Sequence, residues 1–446
     1  MPTDLILIGR SGAAAARASI ELTAQNIANA SNPDYVRRSL SQSELVGTGR
    51  IGFTQTSSLG GVLIGDVQRT NNELIQRQVR DSLSDLSRAE SELAGLRETE
   101  TALEQSRLYE SLVDFEASLT LLESDPGDPA LRTGAIETAR QLTETFQFAD
   151  KALSDTRELV QAEVTASVDE VRGASAELAR INTELVAARD GTAGKASLLD
   201  ARDAALRDIA AEFGITTRFD EFGAVEVRLK ADPPALLVQE GRFNTLTASF
   251  TANGSAIFNF GSLRFVPDSG AMAGRVAALT EMGTRQAGLD SIAAETITRA
   301  NTAQAAGTAF DGTAGQPLFS GTRASNIALA LSDGSGIAVA PAGAPAGSRD
   351  TSNLGNLIAA FGADDGPIAE TDRSLLVLSS RISGLDTTRE GLAIINASAQ
   401  AELLSEAGVD LDEEAANLVR LQQAFDANSR VIQVASSIFD TILGLN

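Results

Sequence analysis

Small and apolar residues recur at helical spacing along residues 3–30. Steps of three and four place such residues on one face of an α-helix. Two stripes on different faces predict a helix that buries two sides, as in an assembly. The pattern ends near Ala30, and Asn32-Pro33-Asp34 predicts a turn. The stripes are Leu5, Ile8, Gly12, Ala15, Ser19 and Leu22, and then Ile6, Ala13, Ile20 and Ile27.

A heptad pattern fills the C-terminal residues from 411 onward. Asp410 is its predicted N-cap, with Glu413 at the capping-box position. The pattern predicts either a helix packed on its own domain or a coiled coil with another terminal helix, and the small N-terminal stripes favour the second. Asn428 on the seam would set the register of that pair. One seam position holds Leu411, Leu418, Phe425, Ile432 and Phe439, and the other holds Glu414, Leu421, Asn428, Ala435 and Ile442.

The middle of the chain alternates between long helical patterns and one β-rich region. Residues 129–190 predict a helix of about 90 Å at 1.5 Å per residue, with Gly173 as a possible weak point. Alternating residues and turn residues over 215–268 predict a small β-domain. Further helices are predicted near 79–105, at 195–213, 271–306 and 352–361, and from 367 onward with a break near Gly408.

These patterns predict a mainly α fold with a small β insert, in an elongated, nested, multi-domain chain. A long-helix bundle at 46–213 and 270–399 would carry the outer β-domain, 214–269, and the terminal assembly domain, 1–45 and 400–446. The two ends would form coiled-coil helices. The predicted assembly interface consists of Leu5, Ile8, Ala15, Ile20, Leu22, Ile27, Asn29, Pro33, Tyr35, Leu411, Leu418, Leu421, Phe425, Asn428, Ile432, Ala435, Phe439 and Ile442.

Composition narrows the chemistry that this chain can support. A formal net charge of −24 disfavours binding to nucleic acid or to anionic lipid. The chain has no Cys and no His, so it lacks disulfides and the commonest general base and metal ligand. Chemistry based on carboxylates, Lys and Ser remains available, so these absences disfavour an enzyme without excluding one. We expect no cofactor and no catalytic or metal site. The sequence contains no apolar run of about 18 residues, so no membrane helix is predicted. No cleaved signal peptide is predicted either.

Three segments imitate ligand-binding motifs. Residues 47–52 match G-x-G-x-x-G but lack the following helix of a dinucleotide site. Residues 191–196 resemble a phosphate loop with short spacing, in which Ala196 replaces the Mg²⁺-binding hydroxyl. Asp364-Asp365-Gly366 predicts a turn rather than a cation loop.

The sequence QNIANASNPDYVR at 25–37 resembles the N-terminal signature of the bacterial flagellar axial proteins, the rod, hook and hook-associated family. Asp34 replaces the family's usual Gly, and Asp tolerates left-handed turn geometry. Residues 413–425 and 438–443 resemble the family's C-terminus. Stretches 122–129, 198–206 and 307–319 are most similar to the members at the hook–filament junction.

The resemblance implies a non-enzymatic subunit of the hook–filament junction, located outside the cell on the flagellum. In this family the terminal helices pair as the inner layer of a tube, long helices form the next layer, and β-domains face outward. The implied partners are further copies of the chain, the hook protein, the second hook–filament junction protein, an export chaperone at the C-terminal segment and the flagellar type III export apparatus. Neither nucleic acid nor membrane insertion is implied.

Other interpretations stay open at this point. Another axial protein of hook or rod type would share the same terminal motifs. A cytoplasmic helical signalling scaffold suits the long Ala- and Glu-rich helices, although the β insert and the Asn-Pro-Asp-Tyr turn argue against it. A fused enzyme such as a peptidoglycan hydrolase would need a catalytic domain, for which residues 214–269 are few.

Overall fold

The computed structural model describes residues 2–44 and 60–443. The fold is mainly α with a small β portion, as predicted. The helices are α1 (Pro2–Asn29), α2 (Glu73–Ser106), α3 (Leu108–Ser124), α4 (Pro129–Ala187), α5 (Ala193–Glu212), α6 (Ala271–Ala305), α7 (Ser352–Phe361), α8 (Pro367–Ala407) and α9 (Leu411–Leu443). The strands are β1 (Arg38–Glu44), β2 (Val62–Arg69), β3 (Ile215–Phe219), β4 (Val225–Leu229), β5 (Ala231–Asp232), β6 (Ala235–Gln239), β7 (Arg242–Phe243), β8 (Leu246–Phe250), β9 (Ala256–Phe260), β10 (Leu263–Pro267), β11 (Gly307–Thr308), β12 (Phe319–Ser320), β13 (Ala328–Leu329) and β14 (Ala340–Pro341).

The long helix and the short α7 lie where the sequence predicts them. The α4 helix continues through Gly173, so this residue does not interrupt it. The α3 helix was not predicted, although its buried residues recur at steps of three and four: Leu108, Leu112, Phe115, Leu119 and Leu122. The predicted helix ended near residue 105, close to the observed end of α2, and the helical pattern between it and the Asp125-Pro126 break was missed.

The chain divides into two compact units. Unit 1 comprises Met1–Ser84, Glu170–Thr245 and Leu392–Asn446, and unit 2 comprises Asp85–Asp169 and Leu246–Gly391. Three helices, α2, α4 and α8, have residues in both units. The three-part division into terminal, bundle and outer domains stays a prediction.

In unit 1, an antiparallel sheet has the strand order β3-β4-β6-β7. Asn182 of α4 anchors this sheet, because its Nδ2 donates to the carbonyls of Val225 and Glu240, each at 2.8 Å. The amide of Val225 returns a hydrogen bond to Asn182 Oδ1 at 2.9 Å. A separate hairpin pairs β1 with β2, and its register shifts between Leu40 and Gln42.

In unit 2, aromatic rings join α3 to the segments that follow α6. Phe115 meets Phe319 and Phe361 edge-on, with ring centroids 5.9 and 5.2 Å away. The rings are almost fully buried, so this contact forms part of the unit's core. Strands β8, β9 and β10 form an antiparallel meander in the same unit.

Arg132 of α4 organises the loop after α6 in unit 2. Its Nη1 donates to the carbonyl of Gly334 at 3.0 Å, and its Nε donates to that of Pro126 at 2.6 Å. The guanidinium carbon lies 4.4 Å from the ring centroid of Phe310. Burial lowers the pKa of this guanidinium. Arg132 is thus one of several buried side chains that hold this largely irregular segment, together with Gln304 and Asn353.

Candidate assembly interface

The terminal helices α1 and α9 pack against each other in antiparallel orientation within unit 1. A Cβ added to Gly9 would lie 2.8 Å from Ile432 Cγ1. Farther along the pair, Asn417 Nδ2 donates to Thr23 Oγ1 at 3.2 Å. Residues early in α1 therefore meet residues late in α9. Small residues on α1 allow this approach, since larger side chains would overlap α9.

The predicted interface residues of α1 and of the turn after it occupy several environments. Ala15 and Leu22 are buried, while Leu5 is 44% exposed. Pro33, in the turn after the helix, is exposed. The partly buried members of the set are Ile8, Ile20, Ile27, Asn29 and Tyr35.

The predicted α9 seam is only half covered. Ala435 is buried and lies on the covered side. Leu418, Leu421, Asn428 and Ile432 are partly buried. A single antiparallel partner covers only part of a broad apolar face, so the remaining seam residues face outward. These exposed residues are Leu411, Phe425, Phe439 and Ile442.

A second apolar surface on α9 lies outside the predicted heptad. Val431, Val434 and Ile438 are 40%, 59% and 42% exposed. Steps of three and four place them together on one helix face. The same spacing search could have found this surface, but the heptad assigned its residues to the solvent side. We call these three residues the outer α9 face.

The turn after α1 is held by Asn26. Its Oδ1 accepts from Tyr35 Oη at 2.8 Å and from the Arg38 amide at 3.2 Å, while its Nδ2 donates to the Arg38 carbonyl at 2.9 Å. The guanidinium carbon of Arg38 lies 4.7 Å from the Tyr35 ring centroid. Burial raises the pKa of Tyr35. Asn26 was part of the recognised signature but not of the predicted interface, and its role is to fix the turn.

Arg37 connects the turn to the start of α9. Its Nε donates to Glu414 Oε1 at 2.7 Å, and its Nη2 donates to Glu413 at 2.9 Å. The hydrogen bond with Glu414 is the main reason that the pKa of Arg37 is raised. Asp410 Oδ1 accepts from the amides of Asp412 and Glu413, which confirms the predicted N-cap.

A buried ion-pair network ties the β1–β2 hairpin to α5. Arg38 Nη2 and Arg69 Nε donate to the two oxygens of Asp200, each at 2.6 Å. Arg69 Nη2 also donates to Asp203 at 2.7 Å. Burial would raise the pKa of Asp203, but Arg202 and Arg69 outweigh it and hold that pKa low. Because its charges are paired and hydrogen-bonded, the network can fix the hairpin beneath the terminal pair.

The segments that imitate ligand sites have other contacts. Residues 47–52 lie outside the described residues. In the 191–196 segment, Thr192 Oγ1 accepts from the Lys195 amide at 3.2 Å and so caps α5. The amide of Gly366 donates to the Ala363 carbonyl at 2.8 Å, and Asp365 pairs with Arg299.

Across residues 2–44 and 60–443, no three acidic, His or Cys side chains gather in a way that could hold a metal ion. No described helix is both long and apolar enough to cross a membrane.

Family models match two parts of the chain. The model described as Flagellar hook-associated protein FlgK helical domain matches residues 96–319. The model described as Flagellar basal body rod FlgEFG protein C-terminal matches residues 400–445, which include all of α9.

Individual relatives give weaker but consistent matches. Flagellar hook-associated protein 1 of Escherichia coli (strain K12) is 25% identical over 232 residues, which cover 51% of this chain and 42% of that protein. Its counterpart in Salmonella typhimurium is 26% identical over 235 residues, 51% of this chain and 41% of that protein. The matched region thus spans about two fifths of these relatives' length.

A solved structure shares the fold. The structure of the flagellar hook junction protein FlgK from Burkholderia pseudomallei matches with a TM-score of 0.63 at 12% identity, covering 73% of this chain and 99% of that chain. The helical-domain model covers residues 96–319, half of the sequence, and the chain therefore belongs to the flagellar hook-associated protein FlgK family.

Proposed function

We propose that this protein is a structural subunit of the bacterial flagellum at the hook–filament junction, and that its terminal helices assemble it. The observation that carries the proposal is the half-covered α9 helix. One side of α9 packs on α1, whereas Val434 and Ile438 of the outer α9 face are exposed. A neighbouring subunit could cover this face.

Burial of the exposed outer α9 face against a partner would be energetically favourable. Burial of apolar surface contributes about 25 cal/mol for each Å² removed from water. Contiguous apolar surface on a soluble protein commonly marks an interaction site. The seam residues Phe425 and Phe439 are also exposed and would add aromatic area to such a contact.

The sequence pattern supports the domain division of the proposal, and family membership supports its partners and location. Residues 1–45 and 400–446 would form the assembly domain, 46–213 and 270–399 the helix bundle, and 214–269 an outer β-domain. The partners would be other copies, the hook protein, the second hook–filament junction protein, an export chaperone at the C-terminal segment and the type III export apparatus. The protein would act outside the cell and without enzymatic activity.

Deletion of the gene, followed by electron microscopy of the cells, tests the proposal. We expect hooks of normal shape that carry no filaments, and restored filaments when the gene is returned on a plasmid. Loss of the hooks themselves would assign the protein to the hook or rod instead. Normal filaments in the deletion strain would reject a role at the junction.

A further inference from the structure

A small cavity of about 70 Å³ lies inside unit 1, beneath the turn that follows α1. Pro33 and Asp34 of the turn line one side of it, and Arg69 and Gln76 line another. The Arg69 side chain is 5% exposed, and Gln76 is 6% exposed. Both are therefore buried polar groups that border a pocket partly open to solvent.

Two atoms of these side chains have no hydrogen-bond partner among the described residues: Arg69 Nη1 and Gln76 Oε1. The neighbouring atoms of the same groups share one acceptor. Arg69 Nη2 donates to Asp203 Oδ2 at 2.7 Å, and Gln76 Nε2 donates to the same oxygen at 3.1 Å. The shared oxygen keeps the two groups close together. A buried polar atom without a partner destabilises the folded protein, so a ligand that satisfies both atoms would stabilise the site.

We propose that an ordered water molecule occupies this cavity and joins Arg69 Nη1 to Gln76 Oε1. The guanidinium can only donate, and an amide oxygen can only accept. The ligand must therefore accept one hydrogen bond and donate another, as water does. A pocket volume of about 10–15 Å³ is enough for one water molecule, and this pocket has about 70 Å³.

An inorganic anion fits this pair less well. It would accept from Arg69 but would face the oxygen of Gln76. The Gln76 amide cannot simply turn over, because its oxygen would then face Asp203 Oδ2, which is an acceptor. The positive charges around the cavity are also already paired, since Arg80 Nη2 donates to Glu73 at 2.7 Å and Arg207 donates to Asp34. A neutral ligand leaves this charge balance unchanged.

The water would complete the network that holds the signature turn. Arg69 belongs to β2, Gln76 to the first turns of α2, and Asp203 to α5. One bridging molecule would thus satisfy two unpartnered hydrogen-bonding atoms where these three elements meet. Buried waters of this kind are structural components that are costly to remove.

A crystal structure of the full chain, grown in sodium bromide and recorded at the bromine absorption edge, tests the inference. We expect a density peak at hydrogen-bond distance from both Arg69 Nη1 and Gln76 Oε1, with no anomalous signal. An empty cavity would overturn the proposal, and an anomalous bromide peak there would replace water with an anion.

A pair of variants extends the same test. In Gln76→Met, which keeps the length of the side chain, we expect the density peak to disappear. In the control Gln68→Met, which alters an exposed residue on the adjacent hairpin, the peak should remain. A peak that survives Gln76→Met unchanged would overturn the bridging role. If Gln76→Met does not fold, the wild-type crystals still decide between water, anion and empty space.

Discussion

Gly12 of α1 and Asn428 of α9 lie directly against each other: a Cβ on Gly12 would be 2.4 Å from Asn428 Oδ1. Asn428 Nδ2 donates to the Ala424 carbonyl at 2.8 Å, which holds the side chain along its own helix. The asparagine predicted to set the register therefore packs onto a glycine. The pair defines one position at which the two helices can meet closely.

Gly12→Ala should loosen the α1–α9 pair. The added methyl group must displace the Asn428 side chain or separate the helices, and overpacking of this kind costs about 1–3 kcal/mol. The gain of about 0.5–1 kcal/mol for Ala over Gly inside a helix offsets only part of that cost. We expect faster amide exchange in α1 and α9, measured by mass spectrometry. Adding Asn428→Ala should restore much of the protection, because the obstructing amide is removed.

Gly173→Ala is a matched control, since a Cβ there meets nothing within 4 Å. It should stabilise α4 by about 0.5–1 kcal/mol, the usual gain of Ala over Gly inside a helix. Equal exchange rates in Gly12→Ala and the wild-type protein would contradict the close contact.

Tyr35→Phe should weaken the turn after α1. It should also remove the loss of folding stability that the wild-type protein shows at high pH. Its hydroxyl donates to Asn26 Oδ1, and loss of such a bond costs about 0.5–1.5 kcal/mol. Burial raises the pKa of Tyr35 in the folded protein. The folded state then holds this proton more tightly than the unfolded state, so the stabilisation is complete below about pH 10 and is lost as pH rises through the folded pKa.

Titration of tyrosinate absorbance in Tyr109→Phe, which leaves Tyr35 as the sole tyrosine of the chain, should report the raised pKa directly. Urea unfolding across the same pH range should show a decline in stability that Tyr35→Phe lacks. An ordinary pKa for Tyr35 would count against its burial in the turn.

Arg381→Met should destabilise the helix packing of unit 2. Arg381 Nη2 donates to Glu92 at 2.9 Å, and Nη1 donates to Glu281, so one side chain links α8 to α2 and α6. Glu281 keeps its bond from Arg285, and Arg381 itself is partly exposed, which limits the loss to about 1–3 kcal/mol.

Circular dichroism during urea unfolding measures this loss. Arg373→Met removes an exposed pair with Glu370 and should change stability by less than about 0.5 kcal/mol. Equal effects of the two substitutions would mean that the link between α8, α2 and α6 contributes no more to the free energy of unfolding than an exposed ion pair.

Asp150→Asn should stabilise unit 2 near neutral pH. Burial, followed by the charge of Asp290, raises the pKa of Asp150. The folded state therefore binds this proton more strongly, and stability falls as pH rises from the unfolded pKa, about 3.9, through the folded one. An amide carries no charge, so the variant should escape this loss.

The gain should shrink as the pH is lowered toward 4, where the wild-type carboxyl becomes protonated. Asp155→Asn provides the comparison, because Asp155 is exposed and pairs with Lys151 on the same helix. Thermal unfolding at several pH values checks both variants. A gain that does not depend on pH would exclude the carboxyl charge as its cause.

Val434→Ser combined with Ile438→Ser should block assembly while leaving the subunit folded. Both residues are exposed on the outer α9 face, so their replacement removes apolar area without opening a core. We expect normal helix content but no filament restoration in the deletion strain. Leu74→Ser, at an apolar residue that is 70% exposed on α2, should restore filaments normally.

The sequence predicts the local elements well because they depend on local signals. Residues 352–361 combine apolar periodicity with flanking turn residues, and α7 has those bounds. The link between Arg38 and Asp200 could not be predicted, because 162 residues separate them and no spacing rule covers that distance. The exposed part of the α9 seam was also beyond prediction. Periodicity identifies an apolar face but not how many neighbours cover it.

Arg132 has an evolutionary consequence. Its hydrogen bonds in the loop after α6 end on main-chain oxygens such as that of Gly334. Every amino acid carries such an oxygen, so substitutions along the loop leave the acceptors in place as long as the backbone keeps its path. Outward side chains that make no hydrogen bond within the loop can therefore change without loss of these contacts. That part of the surface can drift and acquire new specificities while the scaffold stays the same.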